Sequence, residues 1–565
     1  VLFTVALNAQ VTSSSMSGRV SCTDGTLPGA SVVVKHVPSG TIYGTTTNND
    51  GRYTIQGMRI GGPYKVEVSY VGYHNSITEG INLKLGETYI LNIKMIEKSQ
   101  SLESVEIVEQ SILASEKTGA TTIINDDAIL KLPTISREFN DFTRLNPQSN
   151  GNGSFAGRDS RYNNYTVDGA PFNNDFGISS GLPGGGTPIS IDAIEEIAVN
   201  VSSFDIRQSG FTGANINAVT KSGDNQFKGT AYSFLRPTSF VGKTIGEDSI
   251  VGLPESMKQL YGVSLGGAIV KDKLFFFVNG EFENEKFPSD DMSWNPSEDG
   301  VSDAAAKISR TKISDLDRVK KLLIDKYGFD PGEYQNRANF STKSYRLLAR
   351  LDWNINQNNK FTLRYNDVKT MEDNATNGNS GPSNMQRGSR RNSKQSIAFS
   401  NSNYVKNNAV RSITGELNSI INNKISNSLI ASYTNIADKR SSPLDGTGFE
   451  NMPFVDIWQD GDQYMSFGYE LFTKNNAVIN NAMNITDNVS FYLGNHTLTA
   501  GISFDYKYFK NSYIRYGTGY YRYDSVDDFI NHAENGIGAP IAFSLTYGFN
   551  GNEAPGVELD FGYGA

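Results

Sequence analysis

The residues with the clearest catalytic or metal-binding chemistry in this chain are its four histidines and its single cysteine. A catalytic triad or a metal centre needs several such groups at characteristic spacings. These five are scattered, and no Gly-x-Ser-x-Gly, Walker A or His-Glu-x-x-His motif occurs. We therefore expect no catalytic residue, no metal and no cofactor. The five residues are His36, His74, His496, His532 and Cys22.

Two sets of polar residues are also expected to have no catalytic or metal-binding role. Asp524, Asp527 and Asp528 offer carboxylates that calcium would accept, but they lack the glycine and the spacing of a known calcium loop. We interpret them as a solvated acidic loop. His36 and His74 have no ligand cluster near them in the sequence, and we expect both at the surface.

Composition narrows the class of protein. The chain has 565 residues and a formal net charge of −9, which argues against a nucleic-acid binder. The length predicts two or three structural units. With Cys22 alone, no intramolecular disulfide can form. No run of 18 apolar residues occurs, so no transmembrane helix is expected.

The strongest structural signal is strict alternation of apolar and polar residues. Side chains of a strand point alternately to opposite faces, and residues 497–506 place only apolar groups on one of them. The same alternation recurs in residues 274–283, 347–355 and 361–366. Strands of about 9–11 residues with one apolar face are typical of transmembrane β-barrels. The apolar face of the first segment consists of Leu498, Ala500, Ile502, Phe504 and Tyr506.

Connections between these strands are alternately short and long. In outer-membrane barrels the short turns are periplasmic and the long loops extracellular. Stretches of this length without regular structure are unusual in compact soluble domains. The pattern predicts about ten barrel strands. The short connections are at 270–273, 356–359, 422–424 and 494–495, and the long ones at 286–342, 370–408 and 437–480.

The two ends of the sequence suggest a piece of a longer protein. Residues 1–9 are apolar and end in a small residue, which is typical of the last part of a secretory signal peptide. A short N-terminal strand is the alternative. The last residues lack the closing strand expected of a complete barrel, so we expect a fragment.

Residues 16–97 contain short strands separated by turn residues, typical of a small β-sandwich. The segments 17–20, 27–32 and 45–53 resemble a carboxypeptidase regulatory-like domain, which has a transthyretin-like fold. The resemblance implies an accessory module without catalysis. The expected strands cover 31–35, 52–55, 64–70 and 88–95.

Residues 113–224 are rich in glycine and asparagine. The blocks 157–171, 194–199 and 214–223 resemble, in this order, the plug domain of TonB-dependent outer-membrane receptors. With the preceding sandwich they resemble the Oar-like subgroup most. The starch-utilisation subgroup is the alternative, although residues 102–105 do not clearly match its plug entry motif.

The resemblance implies an all-β-dominated fold with three parts. These are the transthyretin-like sandwich, an α+β plug domain and an antiparallel transmembrane β-barrel that starts at residue 225. Barrels of this family have about twenty-two strands, so about half of the barrel is expected here.

Three sets of residues are candidates for function. The linker 98–112 is expected to hold the TonB box, an extended segment that adds a strand to an energy transducer, with a plain linker strand as the alternative. In the plug core, we expect buried charges that bind the plug to the barrel wall and can release it. Loops at the plug apex are candidates for ligand contact. The three sets are Val105, Glu106, Ile107 and Val108; Arg158, Arg161, Asp168 and Gly169; and Phe172, Asn173, Asn174, Asp175 and Phe176.

The resemblance implies a receptor in the outer membrane of a Gram-negative bacterium, with the N-terminal domain and the plug base in the periplasm. Its expected partners are a TonB-type energy transducer, outer-membrane lipids, an imported ligand of unknown identity and, as an open option, a surface lipoprotein lid. A barrel-anchored adhesin or structural protein without transport is the alternative function. An enzyme is the weakest alternative, since it rests on the name of one domain family.

Overall fold

The computed structural model describes residues 11–98, 115–116, 119–134, 137–173, 182–184, 186, 188–203, 205, 207–208, 210–249, 255–337, 339–378, 380–381, 390–494, 496–546 and 558–564. The expected signal segment 1–9 lies outside these ranges. Among the described residues, no helix is both long enough and apolar enough to cross a membrane.

The N-terminal region is the predicted sandwich. One sheet has the order β4-β3-β6-β7, and the other is built around β1, which pairs with β2, β5, β8 and β9. Fully buried Met16, Val34, Tyr64 and Val66 contribute to the core between them. The strands are β1 (Ser14–Cys22), β2 (Gly25–Thr26), β3 (Ser31–His36), β4 (Ile42–Thr46), β5 (Arg52–Met58), β6 (Gly61–Ser69), β7 (Ser76–Leu83), β8 (Thr88–Ile90), β9 (Ile93–Lys94) and β10 (Ser115–Glu116).

Two expectations for this region need correction. The predicted strand 88–95 is divided into β8 and β9. Between them the Leu91 carbonyl accepts the Tyr53 hydroxyl at 2.8 Å, and Asn92 Oδ1 accepts the N–H of Arg19 at 3.0 Å. His36 is buried, not exposed, because it ends β3 on the inward-facing side of the strand. Its Nδ1 lies 2.7 Å from the Ser39 hydroxyl, and its ring lies 4.9 Å from that of Tyr64.

The second region, residues 119–220, forms a five-stranded sheet with the order β11-β14-β15-β12-β13. We call this region the plug. Its apolar core is joined by Phe277, Leu348, Val410 and Ile436 from four strands of the following region, so the plug packs against the inner face of that sheet. The elements are β11 (Gly119–Asn125), α1 (Asp126–Lys131), α2 (Phe139–Thr143), β12 (Asn164–Val167), β13 (Ala170–Pro171), β14 (Ile194–Ser203) and β15 (Asn215–Thr220).

The remaining chain supplies one long antiparallel sheet and the elements of its loops. The elements are β16 (Lys228–Pro237), β17 (Thr244–Ile245), β18 (Asp248–Ser249), β19 (Met257–Val270), β20 (Leu274–Phe287), β21 (Asn295–Ser297), β22 (Ile308–Lys312), α3 (Ile313–Tyr327), β23 (Phe340–Asn354), β24 (Asn359–Asn374), β25 (Ile397–Ala398), β26 (Tyr404–Asn422), β27 (Ile425–Ser441), β28 (Phe454–Gln459), β29 (Asp462–Phe467), β30 (Ala477–Leu493), β31 (His496–Ser512), β32 (Tyr520–Tyr523), α4 (Val526–Asn535), β33 (Ala542–Ser544) and β34 (Glu558–Gly564).

In the described part of the chain, ten strands form the long sheet, in the order β16-β19-β20-β23-β24-β26-β27-β30-β31-β34. We call this sheet the wall, and its strand number agrees with the predicted ten. The predicted alternation is confirmed: in β31 Ile502 and Phe504 are 70% and 44% exposed, whereas Ser503 and Asp505 between and beside them are half-buried. Outward apolar and inward polar faces are those of a membrane-embedded barrel strand.

The four short connections predicted from the sequence are all confirmed. They lie on the same side of the wall as the sandwich. Asn423, in the turn between β26 and β27, donates from Nδ2 to the hydroxyl of Thr46 at 3.1 Å. The sandwich therefore lies on the short-turn side of the wall.

The long connections differ from the prediction, because they are not structureless. The described residues of the three predicted connections, 288–337, 339, 375–378, 380–381, 390–403 and 442–476, fold together with residues 513–546 of a fourth. They share an apolar core that includes Leu316, Phe399, Ile457, Phe467 and Phe529. A sheet with the order β25-β29-β28-β32-β33 packs with α3 and α4. We call this assembly the loop domain. The buried residues of this core come from all four loops, so the sequence of one loop does not reveal it.

The expected acidic loop is also corrected. Asp527 and Asp528 lie in the first turn of α4, where Ser525 accepts the N–H of Asp528 as the helix N-cap. Carboxylates near a helix N-terminus are stabilised by the helix dipole. Their clustering therefore has a local structural cause.

Candidate functional site

Asp168 occupies a tight turn between β12 and β13. Asp168 and Gly169 both have positive φ angles, of 49° and 83°. Two successive residues with positive φ are typical of a two-residue type I′ hairpin turn, which favours Asp-Gly. Asp168 is only 2% exposed despite its charge. The turn therefore presents a buried carboxylate from a fixed point of the plug.

The carboxylate of Asp168 is bound within the plug and faces two arginines of the wall. Its Oδ1 accepts the N–H of Thr220 at 2.9 Å, and its Oδ2 accepts the Thr220 hydroxyl at 2.7 Å. Arg364 Nε lies 3.5 Å from Oδ1, and Arg350 Nη1 lies 3.9 Å from it. Since both arginines are also buried, these charges interact with little screening by solvent.

Arg350 connects strand β15 of the plug to strand β23 of the wall. Its Nη1 donates to the carbonyl of Thr220 at 2.6 Å. Its Nε and Nη2 both donate to the carboxylate of Asp352, with Nη2 at 2.9 Å from Oδ1. The planar guanidinium is thereby fixed by a neighbour on its own strand while it holds the plug backbone.

Arg364 makes the corresponding connection from strand β24. Its Nη1 donates to the carbonyl of Asp168 at 3.2 Å, and its Nη2 lies 2.8 Å from Glu416 Oε2 on β26. Glu416 Oε1 accepts the hydroxyl of Thr12 at 2.6 Å. The N-terminal segment of the chain therefore takes part in the same network.

A second set of contacts lies beside β16, β20 and β23. The hydroxyl of Ser190 in the plug donates to Glu281 Oε2 at 2.9 Å. Tyr232 donates to the same oxygen at 2.8 Å, and Arg346 Nη1 donates to Glu281 Oε1 at 2.6 Å. Here the carboxylate belongs to the wall and the plug supplies a neutral donor.

Neutral hydrogen bonds hold the following part of the plug. Asn366 Nδ2 donates to the carbonyl of Pro188 at 3.0 Å, and the hydroxyl of Thr370 donates to the carbonyl of Gly184 at 2.7 Å. Gly184 has a φ of 72°, and a Cβ there would lie 3.1 Å from Val368. The backbone of the plug therefore approaches β24 closely.

These polar contacts add to the apolar packing of the plug against Phe277, Leu348, Val410 and Ile436 of the wall. A buried ion pair contributes little net free energy, because desolvation offsets the Coulomb attraction. Removal of one partner leaves an uncompensated charge, at a cost of about 3–5 kcal/mol. The polar contacts therefore specify one seated position of the plug and remain compatible with its displacement.

Two of the predicted plug-core residues are not buried. Arg158 and Arg161 are exposed, so the expectation that they act as buried charges toward the wall is wrong. The cause is local: Asp159 caps a short 3₁₀ helix, Ser160–Tyr162, by accepting the N–H of Arg161 at 3.0 Å. The side chain of Arg161 pairs only with Asp159 among the ion pairs of the described residues, at 3.3 Å.

The predicted apex residues divide in two. Phe172 is 1% exposed and packs in the plug core, so the expectation that it faces a ligand is wrong. Asn173 is half-buried, and its Nδ2 donates to Asn164 Oδ1 at 2.8 Å. Asn174, Asp175 and Phe176 lie outside the described residues, as does the whole TonB-box candidate of Val105, Glu106, Ile107 and Val108.

The sequence reasoning missed the arginines and glutamates of the wall as site residues. Arg350 and Arg364 stand on the polar face of two predicted barrel strands. Their inward position was therefore available from the alternation, although their plug partners were not. In the described part of the chain, no group of three or more His, Cys, Asp or Glu residues is arranged to hold a metal ion.

Comparison with known proteins follows the same division of the chain. Residues 219–542 match the outer membrane β-barrel domain family, and residues 15–96 match the carboxypeptidase regulatory-like domain family. The chain is 29% identical over 289 residues to the TonB-dependent transporter Oar of Myxococcus xanthus, covering 47% of this chain and 26% of that protein. The chain thus spans about a quarter of the curated relative.

A solved structure has a similar fold. The outer membrane transporter YddB of Escherichia coli superposes with a TM-score of 0.50 at 11% sequence identity. The superposition covers 78% of this chain and 52% of YddB, so the chain spans about half of that protein. At this identity the similarity concerns the fold.

Proposed function

Because this chain belongs to the outer membrane β-barrel domain family, we propose that it takes up a solute across the outer membrane by displacing the plug from the wall. The family match covers residues 219–542, more than half of the chain. The observation that carries the proposal is the contact of Asp168 with Arg350 and Arg364. A buried, polar and charge-paired contact suits an element that must be both held and released.

The work of displacement comes, in this proposal, from an energy transducer of the TonB type. A similar protein is named a TonB-dependent transporter. We propose residues 105–108 as the segment that the transducer binds by strand addition. Both flanks of this linker are anchored: the N–H of Lys98 donates to Gly72 at 3.0 Å, and Ser115 pairs with Tyr89. A pull on the linker therefore acts on folded structure directly.

The ligand side of the receptor is the loop domain together with the plug apex. We propose that Asn174, Asp175 and Phe176 face a ligand from the plug. The loop domain has its own core, so it presents a defined surface rather than flexible loops. Outer-membrane lipids surround the wall, and a surface lipoprotein that covers the loop domain is a further proposed partner.

A second function is favoured by one observation. The four loops form a folded domain with its own sheet, and a display protein would need such a domain. In that case the barrel anchors an adhesin, and the plug stays seated.

Deletion of residues 103–109 separates the two functions. Cells with the intact protein and cells with the deletion are grown in the same complex medium, and the depletion of small molecules and peptides from the medium is measured by mass spectrometry. Uptake predicts compounds that only cells with the intact protein deplete, at equal surface levels of both proteins. A Gly-Ser segment of the same length in place of 103–109 is expected to behave like the deletion. Unchanged depletion with unchanged surface binding would support the adhesin.

A further inference from the structure

The sandwich contacts the short turns at widely separated points of the wall. At the end of β23, Asn354 Nδ2 donates to the hydroxyl of Thr41 at 2.9 Å. Between β30 and β31, Asn48 Nδ2 donates to the carbonyl of Gly494 at 3.4 Å. In the order of the wall, β24, β26 and β27 lie between these two points. The sandwich therefore extends beneath the lumen that the wall and the plug share.

The segment that precedes β1 enters the space between plug and wall. Asn217 of the plug donates from Nδ2 to the carbonyl of Val11 at 2.5 Å, and Thr12 donates to Glu416 of the wall at 2.6 Å. Thr12 is 8% exposed. A Cβ on Gly169, beside Asp168, would lie 3.3 Å from the Thr12 methyl group. Residues 11–13 thus hold the sandwich to both parts at once.

The sandwich also packs on the plug directly. The N–H of Leu85 donates to Glu196 Oε1 at 2.7 Å, and Glu196 is 4% exposed. Ile60 and Leu85 of the sandwich form a small apolar cluster with Val219 of the plug. Displacement of the plug toward the periplasm is therefore blocked while the sandwich stays in place.

The segment 99–114, which includes nearly all of the predicted linker 98–112, is flanked on both sides by contacts with the sandwich. On one side Lys98 is hydrogen-bonded to Gly72, and on the other β10 pairs with β8 through Ser115 and Glu116. Only residues 117–118 separate β10 from β11, the edge strand of the plug sheet. Force applied to the linker therefore reaches the sandwich before it reaches the plug.

We propose that the N-terminal sandwich is an autoinhibitory cap on the periplasmic mouth of the lumen, and that it must undock before the plug can move. Undocking breaks the contacts of Thr12, Thr41, Asn48 and Leu85 and withdraws residues 11–13 from between plug and wall. Peeling of β11 from β14 follows. This inference rests on the proposed function in one respect, which is that the energy transducer pulls the chain at residues 99–114.

Single-molecule force measurements test the order of these events. The full-length protein is placed in a lipid nanodisc that is fixed to a surface, and it is pulled through a peptide handle inserted at residue 102. Thr41→Cys and Asn354→Cys are introduced together with Cys22→Ser and joined by a short bis-thiol reagent. Without the reagent, a low-force event that undocks the sandwich is expected before extension of the plug. With the reagent, that first event is lost and plug extension is delayed to higher force.

Two controls keep the outcome decisive. Thr41→Cys with Cys22→Ser, treated with the same reagent, should retain the low-force event. A second pair, Thr46→Cys with Asn423→Cys, should give the same loss as the first. Identical force traces with and without the crosslink, or failure of both pairs to crosslink in folded protein, would overturn the cap. The force measurement needs no ligand and no transducer, so its result does not depend on the outcome of the uptake experiment.

Discussion

Arg364 of the wall lies against Asp168 of the plug, with its Nε 3.5 Å from the carboxylate Oδ1 and its Nη1 donating to the Asp168 carbonyl at 3.2 Å. Both side chains are buried, and the same guanidinium contacts Glu416 at 2.8 Å. The positive charge of Arg364 therefore balances one carboxylate of the plug, Asp168, and one of the wall, Glu416. The seated plug depends on this balance.

Arg364→Gln should loosen the plug and leave the barrel intact. The substitution leaves Asp168 and Glu416 with less compensation, at a cost of about 3 kcal/mol, so plug amides should exchange about 100-fold faster. Hydrogen exchange at Thr220, whose N–H donates to Asp168, reports this change. Arg411→Gln is the matched control, because Arg411 pairs with Asp367 on the outer face at 55% side-chain exposure. Equal protection of Thr220 in both variants would contradict the prediction.

The stability of the sandwich should fall in mild acid because of His36. Burial, with a smaller effect of the Arg59 charge, lowers the pKa of His36 from 6.5 to about 3. Between these values the unfolded chain binds a proton that the folded one does not. Stability is therefore full above pH 6.5 and falls by up to ~1.4 kcal/mol per pH unit below it. Pulse proteolysis in urea at pH 7.5, 6 and 5 measures this slope, and His36→Asn should flatten it.

Glu196 should make the contact between plug and sandwich sensitive to alkali. Burial raises the pKa of Glu196 from 4.5 to about 8. The folded state holds the proton more tightly, so the stabilisation is full below pH 4.5 and is lost as the pH rises through 8. Exchange of the Leu85 amide, corrected for its intrinsic rate, should accelerate between pH 7 and 9. Glu196→Gln should remove this dependence, and an unchanged dependence in that variant would count against it.

Arg391 should control the folding of the loop domain. It is 2% exposed and binds Asp456 at 2.7 Å, while Tyr520 and Ser466 also donate to that carboxylate. Burial alone would raise the pKa of Asp456, but the Arg391 charge holds it below its usual value. Asp456→Asn should cost about 3–5 kcal/mol and make the loops sensitive to protease on intact cells.

The control for Arg391 is an exposed ion pair of the same domain. Arg318 and Asp527 lie 2.8 Å apart at 50% and 73% side-chain exposure. Arg318→Gln should change stability by less than about 1 kcal/mol. Arg391→Lys should be less stable than the wild-type protein, because an ammonium cannot form the two parallel hydrogen bonds of the guanidinium. Protease resistance of Asp456→Asn equal to that of Arg318→Gln would refute the role of Arg391.

Much of the fold was predictable because alternation in a barrel strand is local. The outward position of Ile502 and Phe504 follows from period 2 alone, as does the inward position of Arg350 and Arg364. The positions of the short turns could be predicted because they lie where the alternating segments end. The resemblance to Oar-like receptors is supported by the relative and by both family matches.

The rest depends on contacts distant in sequence. Arg391 meets Asp456 across 65 residues, and Thr12 meets Glu416 across 404. The local sequence around Arg391 or Thr12 does not indicate which residue is its partner. Phe172 was expected in a loop at the plug apex, but it directly follows β13 and packs in the plug core. The folding of the loop domain and the contacts of the N-terminal segment therefore could not be predicted from local sequence patterns.

The central claim is that uptake requires the plug to leave its seat on the wall. Ser190→Cys and Glu281→Cys, with Cys22→Ser, place two thiols where a hydroxyl and a carboxylate now lie 2.9 Å apart. Cells with this variant are treated with a short bis-thiol reagent, and depletion of compounds from the medium is measured. Depletion should stop after crosslinking and persist in treated Ser190→Cys cells. Undiminished depletion by the crosslinked protein would contradict the claim.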